Sequence, residues 1–332
     1  MEIVELKIII KMTFVCVQPC ILYYAWQVEV MLENFKSLGI HTKHDIVCLF
    51  AYNKNESDWE NKLSIIKKVQ KRYVDVAKFY FYEDERVTPY NYISSIRPNI
   101  LKQHYKAHPH FSEIPVFYHD CDIVFTKYPD FLSSYDTVKD EWYVSNTISY
   151  IGYDYIISKG QDVLSEMCRI VGINEDTVRN KQSQSGGAQY ILSGIDWRFW
   201  HKVEKDCENL FTQINKLNRE KIKQDPKHHE LQIWCADMWA LIWNAWMRGF
   251  NTTIIDELSF CWATDGIDNW NNKYIFHNAG VTDADKKTSF YKSQFRDILP
   301  YLFDGKEYSN NKASYKYWEI IKSIGEKSVL YE

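Results

Sequence analysis

The chain has 332 residues, room for one large α/β domain with an extension or for two small domains. Hydrophobic residues make up 45% and charged residues 25%, a globular composition that excludes a disordered chain. A net charge of −4 excludes a global basic field for nucleic acid or anionic membrane and leaves open only a local basic groove.

The opening "MEIVELKIIIKM" carries acids early and a short apolar core, which fits neither a signal peptide nor a membrane span. The expectation is a cytoplasmic protein with no membrane insertion. Residues 12–17 read as a first buried strand stopped by "QPC", and residues 23–38 as a helix ended by Gly39. "HDIVCLFAY" is a second strand. Ser57 and Glu60 make a capping box for a helix reaching Arg72, and "KFYFY" is a third strand. Residues 91–108 read as a helix in which Pro98 is either an interruption or the first-turn proline, and residues 116–119 are the next strand. Strands alternating with helices predict a mostly parallel sheet covered on both faces. The polar "GINEDTVRNKQSQSGG" reads as a loop over a site. "LQIWCADMWALIWNAWMRG" reads as a buried helix with Asp237 in its middle, Arg248 in its last turn and Gly249 as its stop. None of the eight cysteines forms CxxC. Several lie in apolar runs, as Cys48 and Cys235 do, and read as buried reduced thiols.

The chemistry gathers at strand ends. "PVFYHDCDIVF" leaves a buried strand with Asp120 and Asp122, two residues apart and so turned to one side, with Cys121 turned away. Two like charges that close are unfavourable unless a cation joins them, and oxygen ligands select Mg²⁺ or Mn²⁺. The competing reading is a solvated turn. "KYIFHNAGV" brings a strand into His277, whose imidazole beside carboxylates favours Mn²⁺. In "SQSGGAQYIL", Gly186 and Gly187 precede a strand and would permit close backbone approach to a ligand, or make a plain tight turn. Asp237 in an apolar helix must pair with a cation, cap a neighbour, or line a cavity and work there.

"YHDCDIVF", "SGGAQYIL", "ADMWAL" and "YIFHNAG" occur in the order seen in GT-A-fold glycosyltransferases. The chain most resembles the peptidyl-serine α-galactosyltransferase and hydroxyproline O-arabinosyltransferase group, over about residues 12–281. "YIGYDYIIS" resembles the family's strand after the metal motif. Cys121 replaces the usual Ala, and the opening residues carry the expectation of a chain without the secretory anchor of eukaryotic members. The resemblance implies a GT-A (Rossmann-like) mixed α/β domain over 1–281 and a helical C-terminal extension over 282–332. It implies that Asp120, Asp122 and His277 hold Mn²⁺ (or Mg²⁺) against the two phosphates of a UDP-sugar. Gln18 and the loop to Tyr24 would meet uracil and ribose. Arg97 would reach donor phosphate or sugar. Gly186, Gly187 and Gln189 would border the donor sugar, and Asp237 would bind sugar hydroxyls. Transfer with retention is implied, with Gln189 or Asp237 steadying an oxocarbenium-like centre. Trp262, Asp265 and Trp270 in "DELSFCWATDGIDNWNN" are placed at the acceptor side by composition and order.

The acceptor hydroxyl stays open between a protein, a glycan and a hydroxymethylated DNA base, as in viral DNA modification. A DNA acceptor would need a local basic cluster, at residues 218–229 or 283–296. The alternative class is a catalytically inactive GT-A relative that binds a sugar or nucleotide; the Asp120, Asp122 and His277 set argues against it. A two-carboxylate nuclease or phosphatase lacks enough further acidic ligands in sequence order.

Overall fold

Continuous Val, Ile, Phe and Cys runs form strands because both faces of the sheet are covered. The computed structural model describes residues 11–86, 92–135 and 140–331; the reading of residues 1–10, and residue 91 at the start of one expected helix, lie outside them. The strands are β1 (Thr13–Pro19), β2 (Asp45–Tyr52), β3 (Lys78–Glu83), β4 (Val116–Tyr118), β5 (Ile123–Phe125), β6 (Glu141–Asn146), β7 (Gly186–Leu192), β8 (Asn251–Ile254), β9 (Phe260–Trp262) and β10 (Ile275–His277). The helices are α1 (Leu22–Ser37), α2 (Trp59–Arg72), α3 (Ile96–Ala107), α4 (Ile148–Ile151), α5 (Tyr153–Ile157), α6 (Gln161–Val171), α7 (Glu175–Asn180), α8 (Trp197–Gln224), α9 (Ala236–Met247), α10 (Ile267–Asn272) and α11 (Ala313–Ile324).

Seven strands form one sheet in the order β3-β2-β1-β4-β7-β6-β8. All run parallel except β7, which is antiparallel to both β4 and β6. This is the mostly parallel mixed sheet flanked by helices that the alternating pattern predicts. One face packs on α1 and α2 through Phe14, Phe35, Phe50 and Ile66. The other packs on α3, α8 and α9 through Val15, Ile100, Trp200 and Trp239. A smaller sheet, β5-β10-β9, stands beside it. The C-terminal part, with α11, buries Phe276, Tyr301 and Tyr317 against Trp26 of α1, whose indole N–H donates to the Phe295 carbonyl at 3.0 Å.

Local expectations differ from the structure in several places. The capping box does not form: Asp58 precedes α2 and no side chain caps it, because Ser57 lies one residue too early, in the turn closed by Trp59 N–H on Glu56 O. Pro98 falls in the first turn of α3, where its missing N–H would have had no helical partner. The polar segment is largely helical. Asn174 accepts from the Asp176 N–H and opens α7, so local capping wins over polarity. "YIGYDYIIS" is not a strand but the short helices α4 and α5, parted by Gly152. Asp237 stands in the first turn of α9, not its middle, since residues 233–235 form a separate 3₁₀ turn. All eight cysteines are buried and free. Among the described residues no helix is long and apolar enough to cross a membrane.

Candidate active site

The site lies beyond the carboxyl end of β4, where the chain leaves the large sheet for the small one. His119 still pairs with β1 through its N–H on Val15 O, and Asp120 to Asp122 make the crossing. β5 then pairs antiparallel with β10, setting Ile123 opposite His277, and the Asn278 N–H donates to the Asp122 carbonyl at 3.0 Å. This pairing brings together residues far apart in sequence. The His277 imidazole Nε2 lies 3.3 Å from Asp122 Oδ1 and 3.6 Å from Asp120 Oδ2. One ligand atom from each of the three falls within 4.8 Å of the others. Two carboxylates and an imidazole at that spacing fit a divalent ion such as Mn²⁺ or Mg²⁺.

Cations hold the carboxylates. The Arg97 guanidinium spans two of them, Nη2 to Asp120 Oδ1 at 2.7 Å and Nη1 to Asp237 Oδ2 at 2.9 Å. Lys292 Nζ is bonded to Asp122 Oδ2. Burial alone would raise the Asp122 carboxyl, but Lys292 and His277 overrule it and hold it well below the usual carboxylate range. Asp237 goes the other way: burial raises it, and Arg97 and a Tyr92 hydrogen bond only partly offset the rise. The Tyr92 hydroxyl is 2.7 Å from Asp237 Oδ1 and accepts from the Asp237 N–H at 2.8 Å. The first turn of α9 adds its positive dipole end to this carboxylate.

Arg97, Asp120, Asp122, Asp237, His277 and Lys292 line one cleft of about 240 Å³, together with Pro19, Tyr23, Tyr24, Tyr118, Ala188, Tyr190, Met238 and Trp262. A second hollow of about 150 Å³, lined by Tyr52, Asn53, Trp59 and Asp84, shares Pro19, Ile93 and Ile96 with it. Ala188 reaches the cleft at φ +70°, in the left-handed region, a strained position for a residue with a Cβ. Gly187 lies against two lining residues: an added Cβ would stand 2.6 Å from the Tyr190 hydroxyl and 2.7 Å from Met238 Cε. Gly186 answers instead to the sheet, where a Cβ would meet Val144 Cγ2 at 2.2 Å and Ser145 O at 2.6 Å.

The structure thus brings Arg97, Asp120, Asp122, Asp237 and His277 together, while Gly186 and Gly187 do not line the cleft. It does not bring Gln18 or Gln189 to the cleft. Gln189 is fully buried and accepts from Ser145 Oγ at 2.6 Å, because the backbone turn at Ala188 sends its side chain behind the wall. Gln18 is buried within β1, while its neighbours Val17 and Pro19 reach the lining. Trp262 lines the cleft; Asp265 accepts the Trp262 N–H at 2.9 Å, and Trp270 packs on Phe276 instead. Sequence reasoning missed Lys292 as a site residue. It read residues 283–296 as a basic cluster, whereas Lys292 turns inward onto Asp122, 170 residues away in sequence. Tyr92, Tyr118 and Tyr190 were missed as well; the only signal for them is that 16% of the chain is aromatic, with 24 tyrosines.

No family model matches the chain, and no curated protein matches it. Similarity is found among solved structures. The galactosyltransferase LgtC in complex with donor and acceptor sugar analogs is 13% identical over 94% of this chain and 95% of that one, with a TM-score of 0.44. Mouse xyloside xylosyltransferase 1 is 9% identical over 81% of this chain and 97% of that one, with a TM-score of 0.41. A glycosyltransferase involved in the glycosylation of the major capsid of PBCV-1 is 11% identical over 83% of this chain and 96% of that one, with a TM-score of 0.38. All three of these proteins are glycosyltransferases.

Proposed function

We propose that the chain is a metal-dependent glycosyltransferase of GT-A architecture that moves a sugar from a nucleotide sugar to a hydroxyl acceptor. The observation that carries this reading is the convergence of Asp120, Asp122 and His277 at the carboxyl end of the sheet, on the floor of a cleft that also holds Arg97, Asp237 and Lys292. Three carboxylates face two cations there, leaving a deficit of positive charge that a divalent ion fills. When bound, that ion supplies positive charge to a departing diphosphate. Two adjoining hollows suit a ligand with two ends, a nucleoside and a sugar joined by phosphates.

The chain's own groups have distinct tasks in this reading. Lys292, beside Asp122, stabilises negative charge on the diphosphate as it leaves. Arg97 is fixed in two directions by Asp120 and Asp237 and so meets the donor in one orientation. Asp237 accepts hydrogen bonds from sugar hydroxyls with Oδ atoms held by Arg97 and Tyr92. The bond between the anomeric carbon and the diphosphate oxygen breaks, a bond forms to the acceptor oxygen, and the acceptor's proton leaves with the nucleoside diphosphate. UDP as the nucleotide and retention at the anomeric carbon are supported by the ordered motifs and their resemblance to the peptidyl galactosyl- and arabinosyltransferase group.

The test is donor turnover across a panel of nucleotide sugars with Mn²⁺, read by nucleotide release. Release from one donor, abolished by chelator and by Asp122→Asn, is the expected result. No release from any donor at any metal concentration would sink the reading.

A further inference from the structure

Of the exposed large hydrophobic residues among those described, only two line the cleft, Ile93 and Trp234. Trp234 is 57% exposed, an unusual condition for the largest apolar side chain. Its ring lies nearly parallel to Tyr150, 6.4 Å away at 22°. Tyr150 meets Trp262 edge-on at 6.3 Å, and Trp262 stacks on His277 at 6.2 Å and 13°. An aromatic wall therefore runs from a candidate metal ligand to the cleft rim.

The rim end of that wall is held in place. Residues 233–235 form a 3₁₀ turn directly ahead of α9, three residues from Asp237. The Trp234 carbonyl is 3.0 Å from the Tyr92 hydroxyl, and the Tyr92 ring stacks on Phe211 at 4.4 Å. The Gln232 N–H donates to the Tyr155 hydroxyl at 3.0 Å. A flat surface fixed before binding loses little freedom when a ligand docks on it.

We propose that the acceptor is a glycan, one of whose pyranose rings stacks on the indole of Trp234, with Tyr150 and Trp262 leading its hydroxyl toward the reacting centre. This rests on the glycosyltransferase reading above. A pyranose has a face of C–H bonds and an edge of hydroxyls, the pairing that an aromatic platform beside a polar floor receives. Nucleic-acid bases also stack on aromatic rings, but their phosphates then require cations along the groove. The only cations lining this cleft, among the described residues, are Arg97 and Lys292, and both are bonded to carboxylates. The charge of the cleft thus favours a neutral acceptor.

Saturation-transfer NMR on the whole chain with Mn²⁺ and UDP tests this, with lactose, maltose, cellobiose and chitobiose as probes and oligothymidylate and a serine-rich peptide as rivals. At least one disaccharide is expected to bind, with saturation strongest at its ring C–H protons. Trp234→Ala is expected to weaken that binding about tenfold, and Trp234→Tyr, which keeps a flat ring, to retain it within a few-fold. The proposal is overturned if no disaccharide binds, if Trp234→Ala binds as well as the parent chain, or if only the oligonucleotide or the peptide makes a contact that Trp234→Ala removes. Donor turnover by the unaltered chain is scored separately: its absence strikes the glycosyltransferase reading, whereas turnover without disaccharide binding strikes only the acceptor assignment.

Discussion

Two of the regions that bury carboxylates satisfy them in opposite ways. Glu29, fully buried in α1, takes neutral donors: Tyr301 Oη at 2.6 Å, Ser328 Oγ at 2.5 Å and the Val329 N–H at 3.3 Å. Those donors come from the C-terminal segment, so the carboxylate ties that segment to the first helix. Asp120, Asp122 and Asp237 instead crowd together and are held by Arg97, Lys292 and His277 around a cleft. A lone carboxylate answered by neutral donors needs nothing more. Carboxylates packed against one another with too few cations are poised to take up charge, and that distinguishes a binding centre from a structural tie.

The largest expected difference is in turnover. Asp122→Asn should lower metal-dependent donor turnover at least about a hundredfold, the scale of losing one charge-stabilising group, while Glu29→Gln leaves it near the parent value. Rates of nucleotide release for the two variants side by side check this, and equal losses would erase the contrast.

Stability should separate them in the other direction. Glu29→Ala strips the acceptor from Tyr301 and Ser328 in a closed interior, and leaving buried donors unpaired should destabilise by roughly 1–3 kcal/mol. Denaturant unfolding measures it; Mn²⁺ affinity in the same preparation should not move.

The dependence on pH sharpens the contrast further. Burial raises the Glu29 carboxyl above its ordinary value, more than Ser328 and Tyr301 lower it. A group raised on folding favours the fold when protonated. Its contribution is therefore fully present below the unfolded value and is lost as pH rises through the folded one. Glu29→Gln should remove that decline, seen as a flatter stability profile on the alkaline side of pH 4.5. An unchanged profile would mean that Glu29 does not titrate across this range.

The smallest expected effect is at Gln189. Its amide lies behind the cleft wall on Ser145, so Gln189→Leu should cost about 1 kcal/mol of stability and change donor affinity less than about twofold. A tenfold loss of donor affinity would bring Gln189 back to the site.

How much of this was legible in the sequence follows from physical range. Strands with continuous apolar runs, such as Asp45–Tyr52, were readable because burial on both faces leaves no polar positions. The pairing of Asp120 and Asp122 was readable from their spacing, but the structure brings them together in the turn between β4 and β5, where Cys121 lines the cleft as well instead of turning away as strand alternation would have it. His277 was readable from its place at a strand end. Asp237 was readable as a residue that needed a partner, and the structure joins two of the options left open: it pairs with Arg97 and it lines the cleft. Lys292 was not readable, because only the folded C-terminal segment sets it on Asp122. Gln189 and Gln18 were misplaced because a one-residue backbone turn, or burial within a strand, decides which way a side chain faces. The helices at residues 148–157 and 175–180 were misjudged because each is only four to six residues long, too short to show a helical period, and of them only α7 carries a side-chain cap.

The central claim, that Asp120, Asp122 and His277 hold an ion that binds a nucleoside diphosphate, is tested most directly by calorimetric titration of UDP. The titration is run on the unaltered chain and on Asp122→Asn, each with Mn²⁺ and with chelator. Binding by the unaltered chain that appears with Mn²⁺, fades in chelator and is lost in Asp122→Asn is the predicted result. Equal UDP affinity with and without the metal would contradict it.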